Sequence, residues 1–534
     1  MMDFPLTTGH FLERARTFFP GGEVVSRQPD RSLHRTNYGE IHGRASRLAH
    51  ALVRLGVKAG DRVASLAWNH ARHLELYLAV PSMGAVLHTL NLRLHPDELA
   101  YIATHAEDQI VVVDRSLLPL LEKFVKRVPT VKHVIVLGDD GPVPEGMLDY
   151  EKVLAQERDV FDFPTVDERA AAIICYTSGT TGNPKGVVYS HRSCVLHTLA
   201  ACLADTLGVC ENDTVLPVVP MFHANAWGLP YCAVMTGAKL VFPGPHMDPK
   251  GLLELMAIEK VTIAGGVPTI WLGILAELDQ APGAWDLSEM QRMVIGGSAA
   301  PPSLIEGFDE RHGIEVIHAW GMTEMNPLGT IARLRREHQS LSYEEKLHVR
   351  ASQGFPVAFV EERHTSDTGA VLPWDGTTMG ELEVRGPWVA KSYLGGEGPD
   401  RFTKDGWFKT GDVVTIDRAG YVRICDRSKD VIKSGGEWIS SVALENALMS
   451  HPAVLEAAVF SGRHAKWDER PVAAIVWKPN ARATDDELRA HLEARFPKFW
   501  MPDAFVTMEQ IPRTSTGKFL KTKLRELYGD VLLK

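Results

Sequence analysis

The sequence predicts an α/β fold with a large N-terminal α/β unit and a smaller α+β unit after it. Helical and extended patterns alternate along the first part of the chain, which favours parallel α/β layers over a β-sandwich. The chain has 534 residues, and chains longer than about 250–300 residues usually divide into domains. A polar connection at Asp426–Lys429 separates two stretches that each carry strands and helices. We therefore predict two domains.

The elements of the large unit follow from the spacing of apolar residues. Ile41, Ala45, Leu48, Leu52 and Leu55 recur at intervals of four and three, which predicts an amphipathic helix ending before Gly56. Short apolar runs predict buried strands between helices. The strands are predicted at 61–67, 110–113, 134–137 and 293–295, and the helices at 73–83 and from Pro96 onward.

The smaller unit begins after a strand predicted at 420–425. Residues 426–429 are predicted as a hinge, which gives domains 1–425 and 430–534. The second domain contains predicted strands at 454–460 and 472–477 and predicted helices at 443–449, 485–495 and 520–527. Lys521 and Lys523, in the last of these helices, are expected to be surface charges.

Composition excludes several classes of partner. The net charge of −10 argues against a nucleic acid as the main partner. No apolar run approaches the ~20 residues that a membrane span requires, and no signal peptide is evident at the N-terminus. The six cysteines form no Cys-x-x-Cys pair, so we expect reduced, mostly buried thiols and a cytoplasmic location.

The segment from Tyr176 to Gly186 combines hydroxyl residues and glycines around Lys185. Glycines let backbone N–H groups approach an anion, hydroxyls add donors, and the lysine adds a positive charge. This chemistry suits a polyphosphate. The spacing is not that of a P-loop, because Asn-Pro separates Gly182 from Lys185 and Gly186 follows the lysine. Taken alone, the segment is equally well explained as a Gly/Thr-rich surface loop.

Four further motifs follow in order: Trp320–Glu324, Gly406–Asp412, Asp426–Trp438 and Pro512–Lys518. With the Thr/Gly-rich segment, they resemble the adenylate-forming superfamily of acyl-CoA synthetases, adenylation domains and luciferases. The resemblance extends from about Tyr38 to Leu527. It implies the adenylate-forming fold, with a small C-terminal domain that rotates between two half-reactions.

The resemblance also implies an AMP-forming ligase. Such an enzyme uses ATP and Mg²⁺ to convert a carboxylate into an acyl-adenylate with release of pyrophosphate, then transfers the acyl group to CoA. Lys518 is expected to bridge the carboxylate and the α-phosphate, and Thr323 to donate to that phosphate. Glu324 and Thr180 are expected to bind Mg²⁺. The residues assigned to the β- and γ-phosphates are Thr177, Ser178, Gly179, Thr180, Thr181, Gly182 and Lys185.

The remaining nucleotide contacts are implied in the same way. Trp320, where many relatives carry Tyr, offers an aromatic face to adenine. Asp412 would accept both ribose hydroxyls, and Arg427 would reach the ribose and phosphate. The other residues assigned to ATP or AMP are Gly297, Ser298, Ala299, Gly321, Met322, Lys433 and Trp438.

The second half-reaction and the acyl pocket complete the assignment. Gly296, Gly435, Gly436 and Glu437 are expected to line the tunnel for the pantetheine arm of CoA. Arg463, Trp467 and Arg470 resemble a contact region for the CoA nucleotide, although Asp468 stands where a glycine is frequent. His223 and Trp227 resemble the residues that line the acyl entrance, with Trp227 at a gate position.

The pattern is most similar to the medium-chain fatty-acid ligase group, which includes bacterial ligases for 3-(methylthio)propanoate. That acid, and hence dimethylsulfoniopropionate catabolism, is the favoured expectation. A general medium- or long-chain fatty-acid ligase is the alternative. A module that loads a carrier protein and a catalytically silent acyl or nucleotide sensor remain further alternatives. The resemblance also implies a homodimer.

Overall fold

The computed structural model describes residues 1–138, 141–177, 183–434, 437–513 and 519–533, with Glu437 described by its backbone alone. The chain forms two compact units. Unit 1 comprises Met1–Ile295, Gly321–Gly329 and Gly386–Asp400, and unit 2 comprises Gly296–Trp320, Thr330–Arg385 and Arg401–Lys534.

Unit 1 is a layered α/β structure. Its helices are α1 (Gly9–Phe18), α2 (Tyr38–Arg54), α3 (Ala71–Ser82), α4 (Pro96–His105), α5 (Leu118–Leu121), α6 (Tyr150–Ala155), α7 (His191–Ala201), α8 (Leu229–Thr236), α9 (Pro249–Glu259) and α10 (Pro268–Gln280). Its strands are β1 (Glu23–Arg27), β2 (Leu33–Asn37), β3 (Arg62–Leu66), β4 (Val86–Thr89), β5 (Asp108–Asp114), β6 (His133–Leu137), β7 (Leu148–Asp149), β8 (Ala171–Tyr176), β9 (Gly186–Ser190), β10 (Thr214–Pro217), β11 (Lys239–Phe242), β12 (Ile263–Gly266) and β13 (Arg292–Ile295).

Two largely parallel sheets organise unit 1. One sheet has the order β7-β6-β5-β3-β4-β8-β9, and β9 is its antiparallel edge. The other contains the run β13-β12-β10-β11-β1-β2, and β2 is antiparallel. A buried core that includes Leu66, Ile102, Val113 and Phe124 packs one face of the first sheet. Strands covered on both faces explain the continuous apolar runs in the sequence.

Two further strands, β14 (Glu315–Gly321) and β15 (Leu328–Ile331), have residues in both units. The helices of unit 2 are α11 (Pro302–His312), α12 (Tyr343–Arg350), α13 (Ser441–Met449), α14 (Asp485–Glu493) and α15 (Lys521–Tyr528). The other strands of unit 2 are β16 (Phe355–Pro356), β17 (Glu361–Thr365), β18 (Gly380–Arg385), β19 (Phe408–Ile416), β20 (Val422–Arg427), β21 (Ile432–Ser434), β22 (Glu437–Ile439), β23 (Val454–His464), β24 (Asp468–Trp477) and β25 (Ala504–Thr507).

Unit 2 contains an antiparallel sheet of order β17-β18-β19-β20 and a second sheet in which β22-β21-β24-β23 are neighbours and β25 pairs with β24. Leu444, Leu448, Val459, Ile475 and Leu488 are buried in the core between the second sheet and helices α13 and α14.

The predicted elements occur at their expected places. The helix predicted from the spacing of Ile41 to Leu55 is α2, and the strands predicted at 454–460 and 472–477 are β23 and β24. The predicted hinge lies at the end of β20, which contains Asp426 and Arg427. The domain boundaries at 425 and 430 stay predictions. Within the described residues, no helix combines the length and the apolar character that a membrane crossing requires.

One expectation about surface charge is wrong. Lys521 is buried, because its ammonium group donates to Ser441 and lies 2.8 Å from Glu445 Oε1 and 3.7 Å from Asp426 Oδ1. Burial alone would lower the pKa of Lys521, but the two carboxylates raise it. Lys523 is exposed as expected, at 2.9 Å from Glu526.

Candidate active site

The Thr/Gly-rich segment connects two antiparallel strands of unit 1. Tyr176 ends β8 opposite Gly186, which begins β9. The N–H of Thr177 donates to the carbonyl of Lys185 at 2.9 Å, and the N–H of Lys185 donates to Thr177 Oγ1 at 3.2 Å. The described ends of the segment therefore pair with each other, and Lys185 directly precedes a strand, whereas the lysine of a P-loop opens a helix. Its residues Ser178, Gly179, Thr180, Thr181 and Gly182 lie outside the described residues.

The two ends of this loop have aromatic neighbours. The Nζ atom of Lys185 lies 5.1 Å from the ring centroid of Tyr393, a distance at which the ring attracts a cation. At the other end, the Tyr176 hydroxyl lies 2.7 Å from His105 Nδ1. Burial, with the negative charge of Asp108 nearby, raises the pKa of Tyr176, so this phenol is neutral at physiological pH.

The Thr323–Glu324 segment of unit 1 is held by bonds to its backbone and to its carboxylate. The Tyr189 hydroxyl donates to the Thr323 carbonyl at 2.6 Å, and the Ala390 N–H donates to the Glu324 carbonyl at 2.7 Å. The Tyr393 hydroxyl donates to Glu324 Oε1 at 2.6 Å. Glu324 is buried, as is Thr323. These contacts fix the position of one carboxylate.

Close backbone packing explains Gly321 in the same segment. A Cβ there would lie 1.9 Å from the Pro327 carbonyl oxygen, whereas the N–H of Met322 donates to that oxygen at 3.0 Å. A side chain at this position would break the turn that presents Thr323 and Glu324.

The donor set suits Mg²⁺ bound together with phosphate oxygens. Among the described residues, no group of three His, Cys, Asp or Glu side chains could hold a metal by itself. Mg²⁺ commonly takes one or two carboxylates and completes its coordination with water and substrate phosphates. Glu324 fits the carboxylate role, and Thr180 lies outside the described residues.

Three predicted nucleotide residues meet in unit 2. Asp412 Oδ2 accepts a hydrogen bond from Trp320 Nε1 at 3.0 Å, and Asp412 Oδ1 lies 2.9 Å from Arg427 Nε. Asp412 and Arg427 are direct partners of β19 and β20. The side chain of Asp412 is 3% exposed and that of Arg427 is 36% exposed, so the carboxylate is buried while its arginine partner stays partly open to solvent. The cluster presents an indole ring beside a fixed carboxylate.

The predicted adenine loop also lies in unit 2. Gly296 is buried and Gly297 adopts a φ of 85°, so this turn requires a left-handed residue. Ser298 is exposed and Ala299 is half-buried. The loop ends at Ala300, whose N–H donates to His318 Nε2 at 3.4 Å. Burial lowers the pKa of His318 to about 4, which keeps this imidazole neutral and able to accept.

The predicted acyl segment contains a left-handed turn. Ala224, Asn225, Ala226 and Trp227 have φ values of 44°, 56°, 49° and 58°. Consecutive residues of this kind cost free energy unless the surrounding structure imposes them. Such strain is typical of functional sites. His223, which begins the turn, and Trp227 are both half-buried.

The surroundings of the turn place Trp227 beside β12. A Cβ on Gly265 would lie 3.7 Å from Trp227 Cε3, so the indole packs against a strand that carries no side chain there. Behind the turn, a Cβ on Gly228 would lie 2.8 Å from His197 Cε1, and His197 Nε2 accepts from the Leu328 N–H at 3.3 Å. Burial lowers the pKa of His197 to about 3, so this imidazole behind the turn is uncharged at neutral pH.

Two of the predicted C-terminal residues face each other. Lys433 and Trp438 are partners in the β21–β22 hairpin, and Lys433 Nζ lies 5.2 Å from the Trp438 ring centroid. Gly435 and Gly436 lie outside the described residues, and only the backbone of Glu437 is described. Lys518 also lies outside them.

The predicted CoA-nucleotide region divides into exposed and buried residues. Arg463 is exposed and pairs with Asp530, and Trp467 is 43% exposed beneath Lys466. Arg470 is buried and donates to Asp503, Ser434 and the carbonyls of Phe499 and Met501, so it stabilises the C-terminal sheet. Asp468 has a φ of 60°, which explains why a glycine suits that position.

Sequence reasoning missed Tyr393 and His197. Both lie far along the chain from the motifs that they contact, and neither belongs to a pattern with its own chemistry. The two aromatic residues Trp388 and Tyr393 were the available signal, since glycines at 386, 395 and 396 flank the stretch that contains them. Only the folded chain shows that the Tyr393 ring and hydroxyl contact two different motif residues.

Comparison with known families covers most of the chain. Residues 12–394 match the family described as AMP-binding enzyme, and residues 443–518 match the AMP-binding enzyme C-terminal domain. The first match alone exceeds half of the sequence.

Three similar proteins are CoA ligases. A long-chain-fatty-acid–CoA ligase of Thermus thermophilus is 51% identical, with 99% of this chain and 97% of the relative covered. A medium-chain-fatty-acid–CoA ligase of Ectopseudomonas oleovorans is 46% identical, with 100% and 98% covered. A 3-methylmercaptopropionyl-CoA ligase of Ruegeria pomeroyi is 45% identical, with 100% and 99% covered.

Two solved structures are similar to this chain over nearly its whole length. The anthranilate CoA ligase AuaEII in complex with anthranoyl-AMP has a TM-score of 0.88 at 25% identity, with 99% of each chain covered. ATP-bound MatB from Rhodopseudomonas palustris has a TM-score of 0.84 at 28% identity, with 98% of this chain and 100% of that chain covered.

These matches confirm the predicted adenylate-forming α/β fold and the predicted class of enzyme, an AMP-forming acid–thiol ligase. CoA ligases of this family use ATP, Mg²⁺ and CoA. The chain therefore belongs to the AMP-binding enzyme family, within the adenylate-forming superfamily that its five motifs resemble.

Proposed function

We propose that this acyl-CoA ligase acts on a short- or medium-chain carboxylic acid, with 3-(methylthio)propanoate as the favoured substrate. The observation that carries the proposal is full-length similarity to the medium-chain and 3-methylmercaptopropionyl-CoA ligases, at 46% and 45% identity. A thioether chain and a methylene chain are similarly apolar and flexible, so one pocket can accept both.

The residues of the predicted acyl segment favour an acyl pocket of limited depth. Trp227 is a large side chain on the left-handed turn. Gly228 and His197 pack behind this turn. The indole lies beside Gly265 of β12, where a Cβ would be 3.7 Å from Trp227 Cε3 and 2.7 Å from Leu229 Cδ1. His223 begins this turn and is assigned to the acyl entrance.

In the first half-reaction, a carboxylate oxygen attacks the α-phosphorus of ATP and the bond to pyrophosphate breaks. Trp320, Asp412 and Arg427 bind the nucleoside, with Gly297, Ser298 and Ala299 beside the base. Lys185 and Thr177, with residues 178–182, bind the phosphates. Mg²⁺, held by Glu324 and Thr180, would neutralise charge on the phosphates. Lys518 stabilises the negative charge that develops between the carboxylate and the α-phosphate.

In the second half-reaction, the sulfur of CoA attacks the acyl carbon, AMP leaves and the thiol proton is lost. Gly296, Gly435, Gly436 and Glu437 line the tunnel for the pantetheine arm. Arg463 and Trp467 are exposed and able to meet the CoA nucleotide, whereas the buried Arg470 stabilises the C-terminal sheet beside them. Lys433 and Trp438, which are partners on strands β21 and β22, are assigned to the nucleotide.

A long-chain fatty-acid ligase is the second candidate, because the Thermus thermophilus relative reaches 51% identity. A homodimer and a cytoplasmic location also belong to the proposal. Sedimentation of the full chain at two concentrations tests the dimer, and a monomer at both would overturn it.

Rates of ATP- and CoA-dependent AMP release across an acid panel test the substrate. The panel contains 3-(methylthio)propanoate, propanoate, butanoate, hexanoate, octanoate and palmitate. A clear preference in kcat/KM for the thioether acid supports the favoured substrate. A broad optimum at four to eight carbons supports a general medium-chain ligase, and a preference for palmitate establishes the second candidate. Failure with every acid, despite ATP binding, would favour a carrier-loading module or a sensor.

A further inference from the structure

We propose that Tyr393 is a positioning residue that holds Glu324 and Lys185 for Mg·ATP, and that the Gly386–Gly398 segment is the support that makes this possible. The inference rests on the proposed function, because Glu324 and Lys185 are assigned there to Mg²⁺ and the phosphates. It adds a residue outside the five sequence motifs.

The hydroxyl of Tyr393 fixes the carboxylate. It donates to Glu324 Oε1 at 2.6 Å, and both residues are buried. A hydrogen bond to an ionised acceptor is stronger than one between neutral groups. It also restricts rotation of the carboxylate, which orients a metal ligand before the metal arrives.

The ring of Tyr393 attracts the ammonium of Lys185, whose Nζ lies 5.1 Å from the ring centroid. Gly398 leaves the space for this contact. A Cβ at Gly398 would lie 2.6 Å from Lys185 Nζ and 3.4 Å from the Tyr393 ring. Tyr393, a neutral side chain, therefore holds both Lys185, at the end of the Thr/Gly-rich segment, and Glu324.

The rest of the segment supports the same two places. Ala390 donates its N–H to the Glu324 carbonyl at 2.7 Å. Leu394 packs against the loop end, where a Cβ on Gly186 would lie 3.1 Å from Leu394 Cβ. Glu397 lies 3.7 Å from His105 Nε2, and His105 contacts the Tyr176 hydroxyl at the start of the loop. The segment thus reaches both ends of the phosphate loop as well as Glu324.

The two contacts of Tyr393 should affect ATP binding differently, one only in the presence of Mg²⁺ and the other with or without it. Loss of the hydroxyl disturbs the metal ligand, so it should weaken binding only when Mg²⁺ is present. Displacement of the ammonium removes a positive charge from the phosphates, so it should weaken binding of ATP with or without Mg²⁺. A residue that merely stabilised the fold would not show the first pattern, a loss confined to Mg²⁺-dependent binding.

The experiment measures ATP affinity of the full chain by calorimetry, without acid or CoA, once with Mg²⁺ and once with EDTA. Tyr393→Phe should weaken Mg·ATP binding about tenfold and leave metal-free ATP binding within about twofold of the wild type. Gly398→Ala should weaken both about fivefold. Tyr38→Phe is the matched control, because it removes another buried hydroxyl bond, to the Ala238 carbonyl at 2.6 Å, away from the phosphates.

Equal losses with and without Mg²⁺ in Tyr393→Phe, or no loss in either, would overturn the proposal. The binding assay needs no acid, so its outcome is independent of the substrate panel. A wild-type chain that binds ATP but turns over no acid would contradict the proposed ligase substrate and leave the role of Tyr393 to be decided by these affinities.

Discussion

The indole nitrogen of Trp320 donates to Asp412 Oδ2 at 3.0 Å across a sequence separation of 92 residues. Arg427 holds the other carboxylate oxygen, with Nε 2.9 Å from Oδ1. We propose two uses for Trp320: its ring offers a face to a base, and its N–H orients the carboxylate assigned to the ribose. A tyrosine at the position of Trp320 would place its polar atom differently relative to Asp412.

We expect Trp320→Phe to raise KM for ATP about tenfold, because the ring remains while a hydrogen bond to a buried carboxylate is lost. ATP–pyrophosphate exchange measures this. Trp477→Phe is the control, since it removes an indole bond to Thr507 Oγ1 in the C-terminal sheet. An unchanged KM for ATP in Trp320→Phe would show that the N–H has no part in nucleotide binding.

We expect Trp227→Ala to shift acid preference toward longer chains. The indole fills space beside Gly265, and each added methylene in an apolar pocket changes specificity by about 10-fold or more. The ratio of kcat/KM for octanoate to that for butanoate should rise about tenfold. Alanine is as unfavourable as tryptophan at a positive φ, so the substitution does not relieve the backbone strain of the turn.

Trp467→Ala is the control for this change, because it removes a tryptophan that is 43% exposed in the turn between β23 and β24. It should leave the ratio between acids unchanged. The same ratio in Trp227→Ala as in the wild type would remove Trp227 from the acyl pocket.

Local patterns were enough to predict most of the fold. Apolar spacing from Ile41 to Leu55 gives α2, and the continuous run at residues 110–113 gives the core of β5. Both signals are short in range, because the side chains that pack together are neighbours in the sequence or on one face of an element.

Long-range contacts could not be predicted in this way. Tyr393 contacts Glu324 across 69 residues, and nothing in its surrounding sequence indicates a carboxylate partner. The left-handed turn at Ala224–Trp227 contains no glycine, so propensity argues against it. Lys521 has the sequence context of a surface lysine, and its burial depends on Asp426 and Glu445, which come from two other elements.

We expect Lys518→Ala to reduce acyl-AMP formation about 10²–10³-fold, because the charge that develops in the transition state loses its cation. Thioester formation from supplied acyl-AMP should be largely intact. Pyrophosphate release measures the first step, and acyl-CoA from synthetic acyl-AMP measures the second. Lys523→Ala, which removes an exposed lysine of α15, should change neither. Equal loss of both steps would contradict the role of Lys518.

We expect Gly436→Val to block thioester formation and spare pyrophosphate release, because a branched side chain would narrow the pantetheine tunnel. The same two half-reactions measure it. Gly21→Val is the control, since a Cβ at Gly21 meets no atom within 4 Å. Normal acyl-CoA turnover in Gly436→Val would exclude the tunnel assignment.

Stability should fall in mild acid, and His318 should account for part of the fall. Burial lowers the pKa of His318 to about 4, below the ~6.5 of an unfolded histidine. Between these values the unfolded chain binds a proton that the folded chain excludes, so the free energy of unfolding decreases as pH falls from about 6.5 to 4. His318→Gln removes this proton uptake and leaves an amide oxygen that can accept from Ala300. Urea unfolding at pH 7 and pH 5 should show a loss smaller by about 2 kcal/mol in the variant. Equal losses in both proteins would mean that the folded chain protonates His318 as readily as the unfolded chain does, and that the loop ending at Ala300 does not depend on a neutral imidazole.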